Sequence, residues 1–241
     1  MSVLAQAFTG PSLIRSGQQQ NAVALSLLET PIRGRLDRIN GNWLVYGIIG
    51  INVGVWVAFL AARASYETGD ARPLRWLFNN MTCSAENLKQ GRVWTLITSA
   101  FAHQAMEHIF MNSLGLWMFC PAVATSIGAA SFLQVYLAGA IGCDLFSLWW
   151  NQNYNYRSLG ASGALCAIMS FTACLNPRAS VLLYGIVPMP LYGVVIGIFL
   201  YDLYGARNSS GGGKTDFAGH LGGTLTGIGV YFLRRRLGMR F

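Results

Sequence analysis

Residues 157–169, RSLGASGALCAIM, pass within a few positions from a charged turn to an unbroken apolar run. The polar segment NQNYNYRS (151–158) precedes this run, which continues to about residue 175. The stretch therefore reads as a helix entering a bilayer, with Ser162 at its mouth. Blocks of the same kind recur near 43–62, 105–127, 130–150, 190–206 and 217–233. Each, like 159–175, approaches the roughly 20 residues that cross a hydrocarbon core. None alternates apolar and polar positions as a transmembrane barrel strand does. Only 11% of the 241 residues are charged and 53% are hydrophobic, whereas about a quarter of a soluble domain is charged. The expected fold is all-α, a polytopic bundle of six transmembrane helices over 43–233. An irregular tail, 1–42, precedes it and a basic tail, 234–241, follows.

A net charge of +8 could suggest nucleic acid as a partner, but the position of the charges argues otherwise. Arg33, Arg35 and Arg38 stand before the first span, and Arg234, Arg235 and Arg236 after the last. Basic residues beside spans fix membrane topology, so the partner they imply is the bilayer. An even span number puts both termini on one side, and this clustering makes it the positive side. The five cysteines form no CxxC pair and most lie inside spans, where they serve as small apolar residues; neither a disulfide framework nor a metal site is expected. The first 28 residues hold one arginine, four serines and no acid, which agrees with the remnant of an organellar targeting segment.

Between the spans, residues 63–92 read as a long loop whose aromatics suit a membrane interface. ASVLLYGIVPMP (179–190) is rich in β-branched residues, and Pro188 and Pro190 forbid a regular helix, so extended chain is expected there. It feeds a short fifth span with Gly193 and Gly197 in its first turns; GARNSSGGGKT (205–215) is a flexible connection.

Polar groups inside spans are costly and each needs a reason. FAHQAMEHIFMNSLGLW places His108 and Asn112 four apart on one face of the second span. His103, five residues before His108, cannot share that face if the helix reaches so far. The sixth span opens TDFAGHLGGTLTGIG, where Gly219, Gly223 and Gly227 follow the small-xxx-small pattern that lets helix backbones touch, and His220 lies close to that contact face. With alternating spans, the second, fourth and sixth all enter from the side opposite the termini. His108 and Asn112, Ser162 and His220 then lie in one leaflet. Taken singly, each feature is explained as readily by packing, by a hydrogen bond between helices or by a proton relay. Taken together they assemble a nucleophile (Ser162), a general base (His220), and oxyanion donors from the Ser162 amide at a helix start, His108 and Asn112. Gly160 and Gly163 allow close approach of backbone and substrate.

HQAMEHIFMN, GASG and GHLGGTLTG, in that order on the second, fourth and sixth spans, resemble the rhomboid family of intramembrane serine proteases. GRVWTLITSAF and DFAGHLGG are most similar to its mitochondrial and plant organellar branch. The resemblance covers about residues 43–233. It implies a Ser162–His220 dyad that cleaves transmembrane segments of other proteins without a cofactor. It also implies that His108, Asn112 and the Ser162 amide form the oxyanion site, that His103 braces the long loop after the first span, and that Gly223 packs on the serine helix. It points to the mitochondrial inner membrane, with a plastid or bacterial plasma membrane as alternatives.

Two departures stand out. Many bacterial members have a tyrosine four residues after the serine, stacked on the histidine; here the residue is Cys166, so the ring must be held differently. Many mitochondrial members have a further span before the core, and residues 1–42 contain no apolar run of that length. Asp216, four before His220, reads as a helix cap rather than a third catalytic member. The fifth span, short and with Gly193 and Gly197, reads either as tightly packed on a neighbour or as a weakly anchored entrance for a membrane substrate; the resemblance, which implies entry between the second and fifth spans, points to the entrance. Two rivals to the protease are a catalytically dead relative that only binds membrane clients, and a transporter using Glu107, Asp144 and Asp202 with the histidines.

Overall fold

The protein is described from a computed structural model covering residues 31–152, 156–183, 187–208 and 215–239. The targeting-remnant reading of the first 28 residues lies outside these. The described residues form α1 (Pro31–Leu36), α2 (Gly41–Glu67), α3 (Arg72–Met81), α4 (Ala85–Lys89) and α5 (Thr95–Thr98), followed by a 3-10 turn at Ser99–Phe101. Then come α6 (Met106–Ile127), α7 (Ala129–Asn151), α8 (Ser162–Leu175), the strands β1 (Ser180–Leu183) and β2 (Val187–Pro190), α9 (Leu191–Asn208) and α10 (Phe217–Arg236). The architecture is an all-α polytopic membrane bundle. By length and composition α2, α6 and α7 can each cross a membrane.

Local chemistry sets the helix ends. Asn40 caps α2 by accepting from the Asn42 amide at 2.9 Å, and Asp216 caps α10 by accepting from the Gly219 amide at 2.8 Å. Gly128, at φ +82°, joins α6 directly to α7, a conformation that suits only glycine. The Asp37 carboxylate closes that corner by accepting from the Ala130 amide.

Two regions differ from the sequence reading, and a third, the segment after 179, is extended as expected. The 63–92 segment is not an irregular loop. The first long helix runs on to Glu67, and α3 and α4 fold the remainder. Asp70 turns the chain between α2 and α3, where hydrogen bonds from Arg72 hold its carboxyl down to about 2. The extended segment after 179 is an antiparallel hairpin with Val181 opposite Met189. Finally, α8 starts at Ser162 and not near 159, which leaves 14 residues, or about 21 Å of helix. A hydrocarbon core is about 30 Å thick, so a helix this short does not cross it from end to end.

The core is built where α7, α8 and α10 meet. Leu116, Phe132, Val135, Tyr136, Ile168 and Phe171 are fully buried around it. Helix α10 packs on α7, α8 and α9, and its glycines make this possible. A β-carbon at Gly223 would overlap the carbonyl oxygen of Gly163, and one at Gly227 would overlap that of Ala167. On the opposite side, a β-carbon at Gly142 would overlap the Thr226 hydroxyl. Helix α10 continues through Arg236, and Arg234 turns inward, donating to the Ser131 hydroxyl at 3.0 Å.

Thermal denaturation in detergent should separate two glycines of α10. Gly223→Val forces the α8 backbone away and should destabilise by at least about 1–3 kcal/mol. Gly229 has nothing within 4 Å of where a β-carbon would sit, so Gly229→Ala should leave the melting temperature unchanged or slightly raised. Equal melting temperatures for the two variants would contradict this packing.

Candidate active site

The chain approaching Ser162 is held at four points by the folded segment before α6. Cys83 and Ser158 exchange backbone hydrogen bonds at 2.9 and 2.8 Å. The Gly160 amide then donates to the Ser99 carbonyl at 2.9 Å, and the Ala161 amide to His103 Nε2 at 3.3 Å. His103 is fully buried and lies before α6 begins, so it is not on the His108 face. It ties the segment between α2 and α6 to the start of the serine helix. The segment is itself rigid. Buried Asn87 donates to the Phe78 and Thr82 carbonyls and accepts from the Arg92 guanidinium.

Gly160 has φ +120°, and a β-carbon there would stand 2.7–2.8 Å from the His108 ring. Glycine is therefore required twice over, by backbone conformation and by the imidazole lying against it. The His108 and His103 rings meet edge to face with centroids 5.0 Å apart. One turn on, Asn112 is buried and its amide nitrogen donates to the His108 carbonyl at 3.0 Å. An amide nitrogen carries two hydrogens, so a second donor remains.

Ser162 is the first residue of α8, where backbone N–H groups have no acceptor within the helix and the dipole favours negative charge. Its hydroxyl oxygen lies 2.8 Å from His220 Nε2. His220 is the fourth residue of α10, and the Gly223–Gly163 contact one turn further brings the two helices together. Gly163 in turn leaves room for Cys143 of α7. The serine and histidine predicted to act together are thus brought into hydrogen-bond contact.

Asp216 behaves as expected of a cap. It also accepts from the hydroxyls of Ser147 and Ser158, so it joins α7, the loop before α8 and the start of α10. Asp144, considered above only as a relay, takes the Ser99 hydroxyl at 2.6 Å. Asp202 was missed as a site residue. Its Oδ1 lies 3.0 Å from His220 Nδ1 and its side chain is 2% exposed. The signal was available, since α9 and α10 are consecutive helices joined by eight residues. Asp202 lies near the end of one and His220 near the start of the next. Cys166, Asp202 and His220 bring a thiol, a carboxylate and an imidazole within 4.8 Å of one another, a donor set able to hold a soft divalent cation such as zinc. A metal there would compete with the Asp202–His220 hydrogen bond.

A half-buried, hydrogen-bonded Ser–His pair at the starts of two helices, inside an all-α bundle, defines a polytopic membrane protein with polar side chains meeting in its interior. The chain belongs to the rhomboid family: the model of the rhomboid domain matches residues 90–237. It is 32% identical over 222 residues to "RHOMBOID-like protein 12, mitochondrial" of Arabidopsis thaliana, covering 86% of this chain and 62% of that protein. It is 34% identical over 193 residues to "Rhomboid protein 1, mitochondrial" of Saccharomyces cerevisiae, covering 77% of this chain and 51% of that protein. A Bacillus subtilis relative, 33% identical over 75 residues (31% of this chain, 37% of that protein), carries "rhomboid protease" in its name. The chain thus spans 62% and 51% of the length of the first two relatives.

The cap is tested by substituting Asp216. Asp216→Ala removes the acceptor of the Gly219 amide and should cost about 1 kcal/mol or more, read as a lower melting temperature in detergent. Asp216→Asn caps nearly as well and should stay close to the parent. A variant that melts normally in both cases would remove Asp216 from the framework of the site.

Proposed function

We propose that the protein is an intramembrane serine endopeptidase that hydrolyses peptide bonds in or near transmembrane segments of other membrane proteins. The observation that carries this reading is the 2.8 Å contact between Ser162 Oγ and His220 Nε2 at the ends of two bundle helices. Packing gives no reason to bury such a pair at matched depth. In the reaction the Ser162 oxygen attacks the scissile carbonyl carbon while its proton passes to His220 Nε2. Negative charge on the carbonyl oxygen is met by the Ser162 amide, the second N–H of Asn112 and the His108 ring. His220 then returns the proton to the leaving amine nitrogen as the C–N bond breaks. Water, activated by the same histidine, releases the acyl group. The protease unit is proposed as a six-crossing core over residues 43–233, with Asp37 before it and Arg234 after it packed onto that core. The names of the Arabidopsis and yeast relatives support placing it in a mitochondrial membrane, and the family's named proteases support catalysis.

The second reading is a relative that binds membrane clients without cutting them. Asn112 favours it to the extent that one of its donors is committed to its own helix. Reconstitution with a transmembrane substrate decides between the two. Ser162→Ala and His220→Ala should each abolish cleavage, with the double variant no worse than either single one, because groups acting as a unit are not additive. Asn112→Ala should lower kcat roughly tenfold or more. Cleavage surviving in Ser162→Ala would remove the dyad, and a parent protein that binds but never cuts would establish the second reading.

Substrate is proposed to enter between α6 and α9. Helix α9 packs on α8, α10 and β2, and α6 on α2, α7 and α8; the two share no comparable contact among the described residues. Ile196 and Leu200 leave a broad apolar stripe of α9 exposed. Cysteine cross-links from the first half of α9 to α6 should block a membrane substrate while Ser162 still reacts with a small soluble acylating probe. Unchanged cleavage by the cross-linked enzyme would place entry elsewhere.

A further inference from the structure

We propose that Asp202 is a positioning residue for His220, so that the dyad works as a three-helix Ser162–His220–Asp202 unit. This rests on the protease reading above and deepens it.

A neutral imidazole has a single N–H, and the nitrogen that carries it decides whether the ring can act as a base. An ionised carboxylate only accepts hydrogen bonds. With Asp202 Oδ1 3.0 Å from Nδ1, the proton belongs on Nδ1. The Nε2 lone pair is then free to accept the Ser162 hydroxyl at 2.8 Å. With the opposite tautomer Nε2–H would donate to Ser162 and could not remove its proton. The carboxylate also faces the ring when it becomes an imidazolium, at a distance where a buried opposite charge has full effect. The same division of labour is found in Ser–His–Asp enzymes built on unrelated folds.

The other buried acids show that Asp202 is not one more structural acceptor. Asp144 takes a serine hydroxyl, while Asp216 takes two serine hydroxyls and a helix-start amide. The carboxylate of Asp202 has His220 as its hydrogen-bond partner, and its Oδ2 is buried with none among the described residues. Burying an acid in an apolar helix is costly, and among the described residues it forms no cap or ion pair with Lys or Arg. It also answers how the ring is held with Cys166 at the position four after the serine.

The chain has three histidines, so the test is direct. Protein labelled with 15N-histidine is studied in detergent at mildly alkaline pH with a chelator present, which keeps metal off the Cys166–Asp202–His220 donors. The His220 signals are assigned by their loss in His220→Ala. The parent should show Nδ1 protonated and Nε2 bare. In Asp202→Asn the side-chain amide can donate to Nδ1, so the proton should move wholly or partly to Nε2. In parallel, kcat for a reconstituted membrane substrate should fall by about 10²–10⁴ in Asp202→Asn while KM changes little. A parent His220 protonated on Nε2 overturns the proposal even if Asp202→Asn does not fold. So does a folded Asp202→Asn protein that keeps the Nδ1 proton and the parent kcat. The tautomer is read without turnover, so a protein that proves not to cleave loses the protease reading and leaves this result standing.

Discussion

Helices α8 and α10 touch backbone to backbone, with Gly223 against the Gly163 carbonyl and Gly227 against that of Ala167. Ser162 is one residue before Gly163 and His220 is three before Gly223, so one contact sets the separation of the serine hydroxyl and the imidazole. A side chain at Gly223 would push α10 away from α8 and stretch the Ser162–His220 hydrogen bond. Helix α7 supports the contact from its other side, because Gly142 and Cys143 leave just enough room for Thr226 and Gly163. In a bilayer, where apolar burial does not favour helix association over lipid, such close packing supplies much of the attraction that remains.

Around that contact the protein arranges polar groups that a bilayer would otherwise penalise. The serine helix is short and begins at Ser162, so its free amides stand beside the His220 ring of α10. The segment before it is tied to the folded region after α2 through Ser99, Cys83 and His103, and to α7 and α10 through Asp216. A rigid, hydrogen-bonded platform therefore stands on the side from which α6, α8 and α10 all start. By contrast, α9 carries Asp202 to the site yet has its remaining surface largely uncovered toward α6. One helix thus combines a fixed polar contact with a loosely packed flank.

Much of this was legible in the sequence. Long apolar blocks announce bundle helices because a bilayer demands length and continuity. Ser162, His220, His108 and Asn112 were legible because each is an expensive group at the same end of its helix, and the glycine spacing after His220 announced the close contact. What the sequence hid has physical reasons. Residues 63–92 mix polar and aromatic positions without a long apolar run, so α3 and α4 resembled a loop; their order comes from partners such as Asn87 and Thr98, which bond to distant carbonyls. The start of α8 was placed early because Leu159 to Ala161 are apolar, although Gly160 at φ +120° excludes them from the helix. Asp202 was judged by its own helix, whereas its meaning lies in the next one.

The central claim, that Ser162 is a nucleophile activated by His220, is tested most directly by mapping covalent labelling. The purified protein in detergent is treated with a fluorophosphonate, digested, and sequenced by mass spectrometry. The account predicts a single adduct on Ser162, absent from a folded His220→Ala variant. An unlabelled Ser162 in folded parent protein, or equal labelling after His220 is removed, would contradict it.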